Sequence, residues 1–460
     1  MHTHAWGFAL LAILLAWTAK CLYHELKSPL RRVPGPRVTR FSRLWYFWTV
    51  WRGQAHHDII ALHRKHAPPG EFYAPIVRLG PNLYSISTAD KAVYGISSKM
   101  PKSTWYEGWK HPSPERWNLF SDQDITRHNQ TRKKFQAMYS LSSLLRYEGF
   151  VDQALDLFRE KLQSLAQSAS TYDMHHWLQC YAFDVVGSMT FGRRFGFLDE
   201  GKDIDGCMSS LESSMVYSTL VGIFPKLHPV LYPFLERLPG TGAVGRTFLM
   251  SFATSRIFTR EKERADAEKM GTEEALSEGD QPRDFLDVVL DAEKSGQKNT
   301  TKYNVFMMAV SNIIAGSDTT AVSLSSILWH LAQSPDALER LRKELDESAV
   351  SSTNFATLQK LPYLQACIKE GLRLCSATGL PLWRVVPSGG AEIQGQFFPG
   401  GSEVGINTWV AHYDEHVWGS DAAKFRPERW LLDDHTELRR LEEHFMPVRD
   451  PDFTTRNAGN

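Results

Sequence analysis

The 460 residues carry 52 Lys+Arg against 52 Asp+Glu, so the formal net charge is zero. With 42% apolar and 12% aromatic residues, the chain is neither a basic nucleic-acid binder nor an aromatic-poor disordered polymer. Five scattered cysteines without a CxxC pair argue against a disulfide framework and a structural zinc site, and point to a reducing compartment.

The first element predicted along the chain is a membrane anchor. Ala5 to Tyr23 reads AWGFALLAILLAWTAKCLY, apolar apart from Thr18 and Lys20. About 20 helical residues span roughly 30 Å, the thickness of a bilayer core. A cleaved signal peptide is the rival reading, but no Lys or Arg precedes the run and no Ala-x-Ala site follows it. Lys20, Lys27, Arg31 and Arg32 lie on the C-terminal side, which places that flank and the body in the cytosol. The triplets at Asn129 and Asn299 are then not glycosylated. Val33-Pro34-Gly35-Pro36 cannot continue a helix. The division is a lumenal segment 1–4, an anchor 5–24, a basic, proline-containing hinge 25–37, a body 38–447 and a divergent tail 448–460.

The body reads as α-rich α+β. Amphipathic windows predict helices at 126–146, 149–168, 176–191, 246–266, 302–333, 335–348 and 359–375. Short β-rich runs fall at 75–79, 83–87, 391–398 and 403–407, so small sheets are expected near both ends of the body. The hydrophilic stretch 264–284 reads as an exposed connection. No βαβ alternation, P-loop or G-x-G-x-x-G motif stands in the right context.

The longest helix, Lys302 to Gln333, is apolar on most faces in its first half and then meets Ala315-Gly316-Ser317-Asp318-Thr319-Thr320. Glycine softens a helix and hydroxyls bond back to carbonyls one turn earlier, so this is where it can bend and open a groove. A helix softened by chance is the blander alternative. Glu370 and Arg373 stand at i, i+3 among Leu364, Ala366, Cys367, Ile368, Leu372 and Leu374, where an ion pair needs further hydrogen bonds. The same tetrapeptide spacing at Glu261/Arg264, Glu339/Arg342 and Glu437/Arg440 reads as solvated pairing. Phe425-Arg426-Pro427-Glu428-Arg429-Trp430 offers a further guanidinium to the buried pair.

The ordered set of anchor, Pro-Gly-Pro hinge, AGSDTT helix, Glu370-x-x-Arg373 and FRPERW resembles the cytochrome P-450 family. The likeness is to its membrane-bound fungal class of pisatin-demethylase-like and benzoate-hydroxylase-like enzymes. The segments Phe183–Gly192 and Gly379–Pro387 resemble that class as well, and the resemblance covers roughly Pro34 to Pro447. It implies a haem-centred α+β fold with a long central helix and small sheets. The implied activity is that of a monooxygenase that hydroxylates or oxidatively demethylates a small lipophilic molecule in fungal secondary metabolism. It also implies haem b, electrons from an NADPH-dependent cytochrome P-450 reductase, no nucleic-acid partner, and an endoplasmic reticulum membrane location.

Carried over by position, Asp318 and Thr319 match the family's proton-relay pair, and Glu370, Arg373 and Arg429 match its structural ion network. His128, Arg132 and Arg384 match propionate partners, although Arg127, Lys133 and Lys134 give the same helix a solvated basic face. Trp105, Met308 and Leu380 are candidate pocket-lining residues. The sequence departs from the family after Phe445-Met446-Pro447. There Val448 to Asn457 lacks the glycines, arginine and cysteine of the haem signature, with Thr455 at the cysteine position. This reads as a C-terminally truncated, frame-shifted or misspliced product. Cys21, Cys180, Cys207, Cys367 and Cys375 lack the loop context of an iron ligand, so no metal ligand is assigned and weak haem binding is expected. The alternative function is a catalytically inactive relative, acting as a binding or scaffold protein or as a nonfunctional product.

Overall fold

Short polar side chains start several of the long helices. Asp124 Oδ1 accepts the Arg127 N–H at 3.0 Å ahead of Ile125–Phe135, and Asp173 Oδ1 accepts the His175 N–H at 2.9 Å ahead of Met174–Phe191. Thr301 and Asn304 cap Lys302–Gly316 reciprocally, each side chain accepting the other's backbone N–H. The computed structural model describes residues 18, 19, 23 and 25–447, without 96–97, 114, 169–170, 271–282 and 349–353. All but three residues of the expected anchor, and all of the tail 448–460, lie outside the described residues.

In chain order the principal elements are α1 (Leu44–Trp51), β1 (Ile76–Gly80), β2 (Leu83–Ile86) and α2 (Ile125–Phe135). Then come α3 (Met174–Phe191), α4 (Cys207–Ile223), α5 (His228–Leu235), α6 (Gly242–Met270), α7 (Lys302–Gly316), α8 (Asp318–Ala332) and α9 (Pro362–Leu374). Strands β3 (Arg384–Val385), β4 (Ala391–Ile393), β5 (Gln396–Phe398) and β6 (Glu403–Ile406) follow. The helices and small sheets bear out the α-rich α+β reading. The chain divides into two compact units.

The first unit takes the residues up to Ser103, Thr378–Lys424 and those from Arg439 onward. Its four-stranded sheet has the order β1-β2-β6-β3. β2 runs antiparallel to β1 and parallel to β6, with Leu83 opposite Glu403 and Ile86 opposite Ile406. The β-rich runs from both ends of the body therefore share one sheet, and β4 and β5 form a separate hairpin. Tyr84, Ile86, Phe398, Val404 and Ile406 bury one core with Leu30 and Val33. The segment expected as a hinge is thus packed into this unit. Arg78 N donates to Pro34 O at 2.7 Å, and a Cβ on Gly35 would meet Arg78 O at 2.4 Å, so only glycine admits this approach.

The second unit takes Thr104–Ala377 and Phe425–Leu438. Its main core joins Phe183 and Phe191 of α3, Leu211 of α4, Leu249 of α6, and Met307, Met308 and Ile313 of α7. The span Lys302–Ala332 is long and apolar enough to cross a membrane by length and composition, but it packs here as a core element. The buried Asp184 carboxylate accepts the backbone N–H groups of Gly196, Phe197 and Leu198 at 2.8–3.2 Å, which orders the turn after α3.

Two expected boundaries are corrected. The window 126–146 is not one helix: α2 stops at Phe135, where Ser140 and Ser143 hydroxyls turn back to Ala137 O at 2.9 and 2.8 Å. The connection expected from 264 is helical as far as Met270, and Arg264 reaches Asp287 and Asp291 instead of lying free in solvent.

Candidate active site

Helix α7 ends at Gly316 and α8 starts at Asp318, so the long helix is interrupted at Ser317, where the sequence placed its weak point. Three hydroxyls bond back one turn. Ser317 Oγ donates to Ile313 O at 2.7 Å, Thr319 Oγ1 to Ala315 O at 2.6 Å and Ser323 Oγ to Thr319 O at 2.8 Å. Neighbouring residues on a helix diverge by about 100°, and the two expected relay residues diverge accordingly. Thr319 is exposed. Asp318 is half-buried and turns to α3, where its Oδ1 accepts Gln179 Nε2–H at 3.2 Å. Burial pushes the Asp318 carboxyl above its ordinary range, with His175 and Gln179 only partly offsetting it. His175 is itself held on the same helix pair by Ser325 Oγ, 3.0 Å from its Nδ1.

A second polar group lies between α9 and the turn Pro427–Trp430. Glu370, Arg373 and Arg429 are fully buried. Arg373 donates through Nε to Glu370 Oε2 and through a terminal nitrogen to Oε1, both at 2.9 Å. Arg429 Nε donates to Oε1 at 2.8 Å, Arg426 N to Oε1 at 3.0 Å and Trp430 Nε1 to Oε2 at 3.0 Å. Burial alone would raise the Glu370 carboxyl, but the hydrogen bonds and charges of the two arginines win and hold it below its ordinary value. Helix α9 reaches α8 closely because residue 371 is glycine: a Cβ there would stand 2.6 Å from Ile327 Cγ1. Ser326 Oγ donates to Gly371 O at 3.0 Å across the same contact. The sequence found the three charged residues and missed the indole and the Arg426 N–H, whose only signal was adjacency to Arg429.

Helix α2 carries His128, half-buried, and Arg132, exposed, one turn apart on one face. Their basic neighbours are not all solvated. Arg127 forks onto Asp122 at 2.9 and 2.6 Å, and Lys134 donates to Asn299 O and Asn304 Oδ1 at 2.6 and 2.9 Å. Arg384 belongs to the first unit, in β3, where one terminal nitrogen donates to Leu382 O and Trp383 O at 3.1 and 3.2 Å. Trp105 and Met308, expected to line a pocket, are both buried, Met308 within the apolar core, and Leu380 is half-buried.

The described cysteines behave as core residues. Burial pushes the thiols of Cys180, Cys207 and Cys367 up to about 12, and it raises that of half-buried Cys375 as well. No cluster of three or more His, Cys, Asp or Glu that could hold a metal ion occurs among the described residues.

Comparison with known proteins bears on the whole body. The family model described as Cytochrome P450 matches residues 42–447. A pisatin demethylase of Fusarium vanettenii is 37% identical over 414 residues, covering 89% of this chain and 78% of that protein. A cytochrome P450 monooxygenase of Aspergillus flavus is 35% identical over 445 residues, covering 93% and 84%. Another, from Aspergillus terreus, is 35% identical over 435 residues, covering 92% and 85%. With a match spanning nearly all of the folded body, the chain belongs to the cytochrome P450 family and, with these relatives, to its monooxygenases.

Proposed function

We propose that the chain inserts one oxygen atom into a small lipophilic molecule, by hydroxylation or oxidative demethylation, in fungal secondary metabolism. The observation that carries this reading is the interrupted α7–α8 helix. It places an exposed hydroxyl, Thr319, beside a carboxyl, Asp318, whose protonated form is favoured by burial. A hydroxyl and a protonatable carboxyl on successive residues give the helix interruption two groups that can each hold or move a proton. The reductant is an NADPH-dependent cytochrome P-450 reductase.

The family implies a haem cofactor, taken here as haem b. Arg132, an exposed cation one turn from His128, fits a carboxylate arm of such a group, and Arg384 is a second candidate. The four described cysteines do not fit the iron-ligating role: Cys180, Cys207 and Cys367 are buried within helices, and Cys375 caps the end of α9, so none stands on a loop that opens to a cofactor. The described residues therefore account for proton handling and anion pairing, and not for the iron ligand. That mismatch favours a second reading, a catalytically silent relative. The reduced, carbon-monoxide-treated spectrum of the purified 460-residue chain separates the two. A red-shifted Soret band at near-stoichiometric haem supports the oxygenase; a folded chain without that band supports the silent relative.

The location proposed is the endoplasmic reticulum membrane, through the apolar run Ala5–Tyr23 with the body cytosolic. Exposed Val230, Leu231 and Phe234 on α5, with Leu227 and Leu238 beside it, form an apolar patch of the kind a lipid surface covers. Carbonate extraction of microsomes should leave the chain in the pellet, and protease added outside should digest the body. Release by carbonate, or protection of the body, would contradict the placement.

A further inference from the structure

An open cavity of about 740 Å³ lies in the second unit, walled by α5, α6, the start of α7 and the segment around His111 and Arg116. This volume is in the range of small-molecule sites. Its rings are fixed. Tyr303 donates its phenol to Trp117 O at 2.6 Å, and the buried Tyr232 phenol lies 3.3 Å from Thr247 Oγ1, which donates to Glu236 Oε1 at 2.7 Å. Both tyrosines are thus held by protein groups and present ring surface to the cavity, with Phe306 next to Tyr303 and with Phe258, two-thirds exposed, at the mouth.

The polar groups are arranged differently from the rings. Arg116 is exposed, and its guanidinium makes no hydrogen bond or ion pair among the described residues. Its charge nevertheless acts on His111, Tyr232 and Tyr303, so it stands close to three walls of the cavity. Burial, and then the Arg116 charge, press His111 toward its neutral form. Its Nδ1 accepts the Ser113 N–H at 3.1 Å, which leaves the ring proton on Nε2 as a donor. Arg116 and His111 thus bring donors to the cavity, and Glu236, the only carboxylate lining it among the described residues, acts on His111 and Tyr232 as well and disfavours a second negative charge on a ligand.

We propose that this cavity binds a planar aromatic monocarboxylate, its carboxylate paired with Arg116 and its ring against Tyr303, Phe306 and Phe258. A guanidinium matches a carboxylate through two parallel N–H···O bonds, and aromatic walls favour a flat ring over an aliphatic chain or an inorganic anion. Phe306 precedes Asp318 by about 18 Å along the helix axis at about 1.5 Å per residue. A ligand here is therefore separate from the one the oxygenase reading places near Thr319.

Equilibrium dialysis of the full-length protein with 1-naphthoate, and with neutral 1-naphthalenemethanol, tests the site without any turnover. The expected result is saturable one-to-one binding of naphthoate. Arg116→Gln, at an exposed position, should weaken it about tenfold or more and change the neutral compound less than threefold. Ser251→Trp, which fills the cavity from α6, should abolish binding of both, with far-ultraviolet circular dichroism confirming the fold of each variant. Wild-type protein without saturable naphthoate binding would overturn the proposal. So would unchanged naphthoate affinity in either variant.

Discussion

The two polar groups of the second unit are built on opposite terms. Around Glu370 the paired charges of Arg373 and Arg429 are buried with it, and the carboxylate accepts five N–H donors, from Arg373, Arg429, the Arg426 backbone and Trp430. Around Ser317 the helix ladder is interrupted, Thr319 faces out, and Asp318 is half-buried with a single long hydrogen bond from Gln179. The same unit thus holds one carboxylate that cannot take a proton at little cost and one that can. Saturated hydrogen bonding locks the first in its charged form, and incomplete compensation of burial leaves the second able to titrate. The first serves the fold; the second is the group that the proposed oxygenase reading assigns to proton handling.

Breaking the buried network should have the largest effect. Glu370→Ala leaves two buried guanidiniums without their acceptor and should cost about 3–5 kcal/mol or prevent folding, read by urea unfolding. A loss under 1 kcal/mol would mean that water replaces the carboxylate. Gly371→Ala pushes a methyl group into Ile327 and should cost about 1–3 kcal/mol by overpacking, measured on the same unfolding curves. Trp430→Phe removes one donor from Glu370 Oε2 and should cost about 1–2 kcal/mol, read on the same unfolding curves; no loss would mean that this hydrogen bond adds nothing to the network.

The pH dependence sharpens the contrast further. A carboxyl lowered by folding, such as Glu370, contributes stability that is complete above its unfolded value and is lost as pH falls through its folded value. Asp318 is raised by folding, so the native state binds its proton more tightly and stability declines as pH rises from the unfolded value through the raised one. Asp318→Asn should therefore flatten the stability profile just above the ordinary carboxylate range; an unchanged profile would show that Asp318 titrates normally. The smallest structural effect belongs to Thr319→Ala, which should shift stability by no more than about 0.5 kcal/mol. If the oxygenase reading holds, that variant consumes NADPH with less product formed, and unchanged coupling would remove Thr319 from the proposal.

What could be read from the sequence follows the range of the forces involved. The interruption at Ser317 and the pairing of Glu370 with Arg373 are local, and composition or spacing reveals them. The divergence of Asp318 from Thr319 follows from helical periodicity, but the partner that Asp318 finds, Gln179 on another helix, could not be read from adjacent letters. Trp430 joined the network for the same reason, through a contact 60 residues away in sequence. The aromatic cavity is assembled from four separated segments, none of which carries a motif. Strand β3, only two residues long, has no period to detect and exists because β6 lies beside it.

The parallel pairing of β2 with β6 sets a timetable for the chain. Asn82 Nδ2 donates to Gly401 O across 319 residues, and β2 has no partner on that side until β6 has been synthesised. Closing so long a loop carries an entropic penalty before any ladder bond compensates it, and topologies dominated by such separations fold slowly. During translation, at about 5–20 residues per second, the β1–β2 hairpin waits tens of seconds with one edge unpaired. That edge is a template for association with other strands, so the first unit should rely on chaperones more than the second, whose core joins helices between residues 135 and 321.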